Sequence, residues 1–124
     1  NPLPKNEPFV WQTTKNGFSV DLKVTPRNPG VSNTFLVTVS HPEHDAQEVH
    51  VVLKNIGDKT TTAPLEIPLK NVTTKDQKTS DQVAYQATGT FLSSPGNWEV
   101  EVQILNENDD YTVVKKSMKV YKVE

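Results

Sequence analysis

The chain has 124 residues, with 13 basic and 15 acidic side chains, a net charge of −2, no cysteine and a single arginine. This length suits one domain, since two independent cores would each approach the lower limit for self-sufficient folding. The charge balance and the single arginine disfavour nucleic acid as a partner, because arginine is the side chain most used on phosphates and base edges. The lack of cysteine excludes disulfides, thiol nucleophiles and cysteine-ligated metals.

The residue usage favours an all-β domain. Seventeen valines and fourteen threonines stand against four alanines and eight leucines, and β-branched side chains suit a pleated, half-buried surface better than a helix. No apolar run approaches the roughly 18 residues of a membrane span, and no basic segment leads into an apolar one as in a signal peptide. We therefore expect a soluble chain made mainly of strands.

The first eight residues differ in composition from the rest of the chain. They contain three prolines and almost nothing apolar, which is typical of an extended linker. We interpret residues 1–8 as a proline-rich tether and residues 9–124 as one domain excised from a longer protein.

Apolar and polar residues alternate along most of the chain, which is the pattern of half-buried strands. Phe9 and Trp11 open a first strand, and Asn16-Gly17 predicts a tight hairpin turn into a second strand over 18–24. A third strand over 35–39 carries apolar residues in both phases, so we expect it at the centre of a sheet.

Further strands follow after polar connections. They are predicted over 49–54, 65–69, 83–91, 98–104 and 111–120. Pro64 and Pro68 make the 65–69 segment an edge strand, and the polar stretch 71–82 predicts a long, mobile connection that crosses between sheets. The apolar phase of the last strand shifts once, which predicts a β-bulge over 114–116.

Seven or eight short antiparallel strands separated by turn residues are typical of a two-sheet sandwich. We therefore expect an all-β, immunoglobulin-like Greek-key β-sandwich. A closed barrel is the alternative architecture, and no internal repeat indicates an array of smaller units.

All three histidines lie in the segment 41–50, beside several carboxylates. Imidazole suits copper, zinc and nickel, and a carboxylate oxygen can complete such a site. We therefore predict weak binding of Cu(II) or Zn(II) here and no other cofactor. The binding should be weak because a surface loop must be ordered before its ligands converge. The candidate ligands are His41, His44, Asp45, Glu48 and His50.

The same segment also has a purely structural interpretation. Ser40 and Glu43 have the spacing of a capping box, which predicts a helix of one or two turns between two strands. The histidines would then be solvated on the helix surface. His50 is expected to point away from the core, because Val49 and Val51 occupy the core-facing phase.

The remaining candidate residues are assigned to the fold. Trp98 and Met118 share the phase of apolar neighbours and are expected in the core, and 106–110 is expected to be a solvated hairpin turn. Trp11, near the tether, is either a core residue or an exposed partner contact. No catalytic residue is predicted, since the sequence contains neither a nucleophile elbow nor a glycine-rich phosphate loop.

Two segments have the same form, a turn that leads into an alternating strand: Pro29-Gly30-x-x-Asn33-x-Phe35-x-Val37 and Ser94-Pro95-Gly96-Asn97-Trp98-x-Val100-x-Val102. With these segments, the chain from about Gly17 to Val120 resembles the YtkA/FixH-like family of extracytoplasmic immunoglobulin-like domains. In that family, such a domain commonly follows the membrane helices of bacterial copper-transport proteins of the CopC–CopD fusion type. The resemblance implies a place on the outer face of the bacterial cytoplasmic membrane and a role beside copper uptake.

We therefore expect a non-catalytic, extracytoplasmic accessory domain of a bacterial membrane copper-transport protein, with a role in metal handling or partner docking. Its partners would be other domains of its own membrane protein or an extracytoplasmic copper-handling protein. It would meet the membrane only through the parent chain. The alternative is a structural or adhesive immunoglobulin-like module of a bacterial surface protein, without a metal role.

Overall fold

The computed structural model describes residues 7–57 and 63–122, which consist mainly of antiparallel β-strands. In chain order the strands are β1 (Phe9–Lys15), β2 (Phe18–Thr25), β3 (Asn33–Ser40), β4 (Ala46–Asn55), β5 (Leu65–Glu66), β6 (Lys70–Asn71), β7 (Gln82–Gly89), β8 (Gly96–Asn106) and β9 (Tyr111–Val120). A short helix, α1 (Lys75–Thr79), lies between β6 and β7. The predicted tether falls mainly outside the described residues.

The strands form two sheets that pack face to face. One has the order β1-β2-β3-β7-β6 and the other has the order β5-β4-β8-β9. Neither sheet closes on itself, so the architecture is a β-sandwich and not a barrel. The order β2-β3-β7-β6 opposite β4-β8-β9 is that of an immunoglobulin-like domain, with β1 and β5 added at sheet edges. The predicted fold class is confirmed, with nine strands in the described part where seven or eight were expected.

The core lies between the two sheets and is built by the inward phase of each strand. In β2 the apolar phase Phe18 to Val24 is at most 2% exposed, and the alternate residues Ser19, Asp21 and Lys23 face solvent. Trp98 and Met118 are buried as predicted. The fully buried side chains also include Phe35, Val37, Leu53, Leu92, Val102 and Ile104.

One side of the sandwich is closed by a segment that passes from one sheet to the other. Leu65 in β5 pairs with β4, and Lys70 in β6 pairs with β7. Between them Ile67 is buried and donates its backbone N–H to the carbonyl of Val51 at 3.0 Å. The chain therefore crosses between the sheets before residue 71. The prediction that the stretch 71–82 makes this crossing is wrong. Pro64 and Pro68 have no backbone N–H to donate to a neighbouring strand. This is consistent with the short length of β5 and β6, which have two residues each.

The β-bulge predicted in the last strand is wrong. β9 pairs with β8 in continuous register from Tyr111 to Val120. Thr112 is buried and belongs to the same inward phase as Val114, whereas Tyr111 and Val113 lie on the outer face. The prediction failed because a buried threonine was not counted as a core residue. A register shift occurs instead in β4, between Ala46 and Glu48.

Candidate functional site

Three chain connections meet at one end of the sandwich. His41, which follows β3, has its Nε2 atom 3.0 Å from the carbonyl oxygen of Asn16 in the β1–β2 turn. His44 has its Nδ1 atom 2.5 Å from Oε1 of Glu107 in the β8–β9 turn. Two histidines therefore tie the connections together. We call this region the histidine end and define it as residues 16–17, 41–45 and 106–110.

The β1–β2 turn has the geometry that the Asn-Gly pair predicts. Asn16 has a φ of 52° and Gly17 a φ of 82°, which is the left-handed conformation of a type I′ hairpin turn. A Cβ atom on Gly17 would lie 2.5 Å from Nε2 of His41. Any other residue would be strained by the positive φ and would displace the imidazole, whereas glycine lets the imidazole approach the backbone of the turn.

Both ring nitrogens of His41 are used by the fold. Nδ1 accepts the backbone N–H groups of Glu43 at 2.9 Å and of His44 at 3.1 Å. Nε2 faces the carbonyl of Asn16, which can only accept, so this hydrogen-bond pattern assigns the proton to Nε2. The ring also packs edge-on against Phe18, with 4.6 Å between ring centres. His41 thus organises the loop and has no nitrogen free for a metal in this conformation.

The helix predicted from the Ser40–Glu43 spacing is wrong, because 41–45 is an irregular loop. The imidazole of His41 accepts the backbone N–H of Glu43, which the hydroxyl of Ser40 would have accepted in a capping box, and that of His44 as well. A capping box does occur at α1, where Thr74 and Gln77 satisfy each other's backbone N–H groups.

His44 is held by a carboxylate on one side of its ring. Oε1 of Glu107 contacts its Nδ1, and Oε2 of Glu107 accepts the backbone N–H of Asp45 at 2.7 Å. The other ring nitrogen, Nε2, makes no hydrogen bond within residues 7–57 and 63–122. The side chain is 38% exposed. A histidine whose one nitrogen is bound to a carboxylate and whose other nitrogen is free is the usual arrangement of a metal ligand.

The same contacts change the titration of Glu107. The backbone N–H of Asp45 has the largest effect and lowers the pKa of Glu107 below its ordinary value of 4.5; desolvation opposes it, and the hydrogen bond and charge of His44 lower the pKa further. Hydrogen bonds to the ionised form favour that form, so Glu107 is a carboxylate at neutral pH.

We expect Glu107→Gln to make the free energy of unfolding less dependent on pH in the acidic range. A carboxyl group with a lower pKa in the folded chain stabilises the fold above pH 4.5, and this contribution is lost as the pH falls through the lowered value. The variant should therefore be less stable than the wild type at pH 7, and the difference should shrink below pH 4.5. Urea unfolding across this pH range measures it.

Glu43→Gln provides the matched control, because Glu43 is exposed on the same loop and contributes only its backbone N–H to this network. It should unfold like the wild type throughout. A difference between wild type and Glu107→Gln that stays constant from neutral to acid pH would contradict the role assigned to Glu107.

A cleft of about 240 Å³ opens beside His44. His44 and Asp45 line one side, and Lys78 and Asp81, at the end of α1 and the start of β7, line another. In the part of the chain that the structure describes, no three histidine, aspartate or glutamate side chains converge on one point. The cleft therefore offers one oriented imidazole, with carboxylates at its rim.

The other two predicted ligands lie on the outer face of β4. His50 points away from the core, as expected, and is half-buried. Its Nε2 lies 3.4 Å from Glu48 and its Nδ1 lies 3.3 Å from Glu66. The two nitrogens of one imidazole ring point in different directions. A single metal ion therefore cannot bind His50 together with both Glu48 and Glu66. The structure thus brings His41, His44 and Asp45 into one loop and leaves Glu48 and His50 on the sheet.

Trp11, the predicted partner contact, is partly buried and packs against the core. It lies in the inward phase of β1, paired with Leu22 of β2. A partner could reach only the part of the ring that is still exposed, and this role stays a prediction.

The sequence interpretation missed Glu107, Lys78 and Asp81. The residues 106–110 were assigned to a solvated turn, which is correct for their exposure but overlooks the bond from Glu107 to His44. A signal was available in the fold class: in an immunoglobulin-like order β4 pairs with β8, so the connection before β4 lies beside the one after β8.

The two segments that carry the family resemblance both begin at the opposite end of the sandwich. Asn33, at the start of β3, is 0% exposed and donates to the carbonyls of Pro26 at 2.8 Å and Asn28 at 2.9 Å. Its Oδ1 accepts the backbone N–H groups of Phe91 and Leu92, each at 3.2 Å. One side chain therefore satisfies four backbone groups from two connections.

The second of these segments is tied down in a similar way. Trp98 donates its indole N–H to the carbonyl of Ser94 at 3.0 Å, and just before this segment the carbonyl of Leu92 accepts the N–H of Gly30 at 3.1 Å. The resemblance thus rests on residues that build one end of the fold.

No family model matches the sequence, and no curated protein is similar enough to count as a match. Among the described residues, no helix is both long and apolar enough to cross a membrane. What is established for this chain is its architecture, an all-β antiparallel sandwich of two sheets with a histidine end.

Proposed function

We propose that the chain is a non-catalytic, extracytoplasmic accessory domain of a bacterial membrane copper-transport protein, and that it handles metal at the histidine end. The observation that carries this proposal is the pair formed by Glu107 and His44. The carboxylate fixes the orientation of the ring, which also packs edge-on against the ring of His41 with 4.7 Å between ring centres, and leaves Nε2 without a hydrogen-bond partner in the described residues. His50, in contrast, has a carboxylate near each nitrogen.

The chemistry of the pair suits Cu(II) or Zn(II). Because a carboxylate only accepts hydrogen bonds, Nδ1 of His44 carries the proton in the neutral ring and Nε2 carries the lone pair. A carboxylate on the far nitrogen also makes the ligating nitrogen more basic. The carboxylates of Asp45 and Asp81 line the same cleft and supply oxygen, which both metals accept.

Such a site would bind weakly and exchange readily. One imidazole with carboxylates at a rim leaves coordination positions for water or for a ligand from another protein, unlike the closed ligand sets of structural sites. This behaviour suits a domain that passes metal on, since its partner would supply the missing ligands. It fits partners such as other domains of the same membrane protein or a separate extracytoplasmic copper-handling protein.

Calorimetric titration of Cu(II) and Zn(II) into the tag-free chain tests the proposal. We expect His44→Ala to weaken binding by at least about tenfold, since it removes the only free imidazole nitrogen of the histidine end. His50→Ala is the matched control and should bind like the wild type. Affinity should fall from pH 7.5 to 5.5, because protons compete with the metal for the ligating nitrogen.

Three outcomes would overturn the proposed site. They are equal binding by wild type and His44→Ala, a loss confined to His50→Ala, and no binding by the wild type at millimolar metal. His41→Ala adds a further comparison, because its effect should come through the order of the loop. It should therefore lower both the affinity for metal and the stability without metal.

The placement of this domain beside copper transport rests on its resemblance to the YtkA/FixH-like family. Two facts support that resemblance: the strand order is immunoglobulin-like, and the first resembling segment is hydrogen-bonded to Phe91 and Leu92, shortly before the second one begins. The full-length gene product offers a direct test. Membrane helices before the domain would support the placement, whereas further sandwich repeats would favour an adhesive surface protein.

The alternative, a structural or adhesive module without a metal role, is favoured by one observation. His41 uses both ring nitrogens within the fold, so one histidine of the cluster has a structural role. If His44 has only such a role too, His44→Ala will lower stability, and the wild type will either bind no metal or bind it no better than the variant, which are the third and first overturning outcomes above.

A further inference from the structure

Lys116 is a charged residue at a core-facing position. It shares the phase of Val114 and Met118, both of which are buried, and it pairs across the sheet with the fully buried Val100. Nevertheless Lys116 itself is exposed. Since the register of β9 is unbroken, its backbone points the side chain inward and its flexible stem carries the ammonium out to water.

The position of β9 explains how this is possible. β9 is the edge strand of its sheet, and β1 is the edge strand of the other sheet on the same side of the sandwich. Lys15 of β1 donates its Nζ to the carbonyl of Val113 at 2.8 Å, which shows how close these edges come. The opening between these edges gives the exposed side chain of Lys116 a path to solvent. On the other side both edge strands, β5 and β6, have only two residues.

A ten-residue edge strand exposes unpaired backbone groups and is a ready template for another chain. β9 contains Lys115, Lys116 and Lys119 and no acidic residue. In an antiparallel pair of two β9 strands aligned at their middles, Lys115 and Lys116 of one copy would lie opposite or beside the same lysines of the other. Like charges placed opposite each other destabilise a sheet.

We propose that Lys116 keeps β9 from pairing with a second copy of this chain. A strand added at this edge would extend the sheet across the opening through which Lys116 reaches water, and its ammonium would lose solvent. Lys115 and Lys119, on the outer face, would stay solvated in such a dimer. The inward position therefore makes Lys116 the most effective of the three lysines at preventing this association.

The test compares Lys116→Val with Lys115→Val, which have the same change in charge and in strand preference but act on opposite faces; Lys115→Val also removes the exposed ion pair with Glu101 at 3.4 Å, a surface contact of small effect. Sedimentation equilibrium should give Lys116→Val a self-association constant at least about tenfold above that of Lys115→Val. Lys116→Val should also unfold at the same or a higher urea concentration than the wild type when dilute. Lys116→Gln, which keeps the side-chain length, should associate to an intermediate degree.

Hydrogen exchange locates the contact. Association of Lys116→Val should protect the amides of β9 more than those of β5 and β6. Equal self-association of the two valine variants, or association without added protection in β9, would overturn the proposal. If Lys116→Val fails to fold, the decision rests on Lys116→Gln, which must associate more strongly than Lys115→Gln.

Discussion

Replacing Trp98 by alanine is expected to lower the free energy of unfolding by about 3–5 kcal/mol, the usual effect of truncating a buried aromatic side chain. Trp98 is 5% exposed and lies in the core between the sheets. Its indole N–H also donates to the carbonyl of Ser94, and in the variant this carbonyl would lose its hydrogen-bond donor. Urea unfolding followed by circular dichroism measures the change.

Trp11→Ala is the control for this prediction, since it is the same substitution at the edge of the core. Trp11 is only partly buried, so its loss should be smaller, about 1–2 kcal/mol from the apolar area concerned. A loss below 1 kcal/mol for Trp98→Ala would contradict the position of Trp98 in the hydrophobic core. A loss at Trp11 as large as that at Trp98 would give Trp11 a core role and weaken its prediction as a partner contact.

Replacing Asn33 by alanine is expected to destabilise the fold by a similar amount, about 3–5 kcal/mol. The amide of Asn33 satisfies two carbonyls and two backbone N–H groups at a position with no solvent exposure. Removing it leaves these groups without their partner, and each unsatisfied buried group costs roughly 1–3 kcal/mol. Part of this cost is recovered if water enters the space.

Asn97→Ala is the matched control for Asn33, because Asn97 is exposed at the same end of the sandwich and is expected to change stability by less than about 0.5 kcal/mol. The same urea unfolding experiment compares the two variants. Equal losses at the two positions would contradict the structural role assigned to Asn33, and would show that the buried amide does not stabilise the connections around β3.

The strands were predictable where one face is buried and the other is wet. β2 and β8 alternate cleanly, so the period of two identifies both the strand and its inward face. β9 was predicted with the wrong local phase because a buried threonine and an inward lysine both break the apolar pattern. Whether these two side chains are buried or exposed depends on how the two sheets and their edges pack, and this packing cannot be derived from a single sequence.

The candidate site was predictable only as a concentration of histidines. The segment 41–50 attracted notice through composition, but the role of each histidine depends on residues far along the chain. Asn16 uses one nitrogen of His41, and Glu107 uses one nitrogen of His44. Local spacing suggested a helix at this loop, whereas these distant partners favour an irregular loop. The sheet order that brings them together is a tertiary property.

At the histidine end and at the Asn33 end alike, side chains hydrogen-bond the backbone of neighbouring connections. The two ends differ in whether a side-chain hydrogen-bonding group is left without a partner. At the Asn33 end, the four possible bonds of one amide are all made, and the network is closed. At the histidine end, His41 is closed in the same sense, whereas His44 keeps one nitrogen without a partner in the described residues. This difference is the reason why the proposed metal site is placed at the histidine end.

The most direct measurement of this claim is the nuclear magnetic resonance spectrum of the backbone amides during addition of less than one equivalent of Cu(II). The metal broadens signals close to where it binds. We predict that residues 41–47, 78–83 and 106–110 broaden first, and that His44→Ala removes this pattern while His50→Ala keeps it. Broadening centred on His50 in β4, or the same pattern in His44→Ala as in the wild type, would contradict the account.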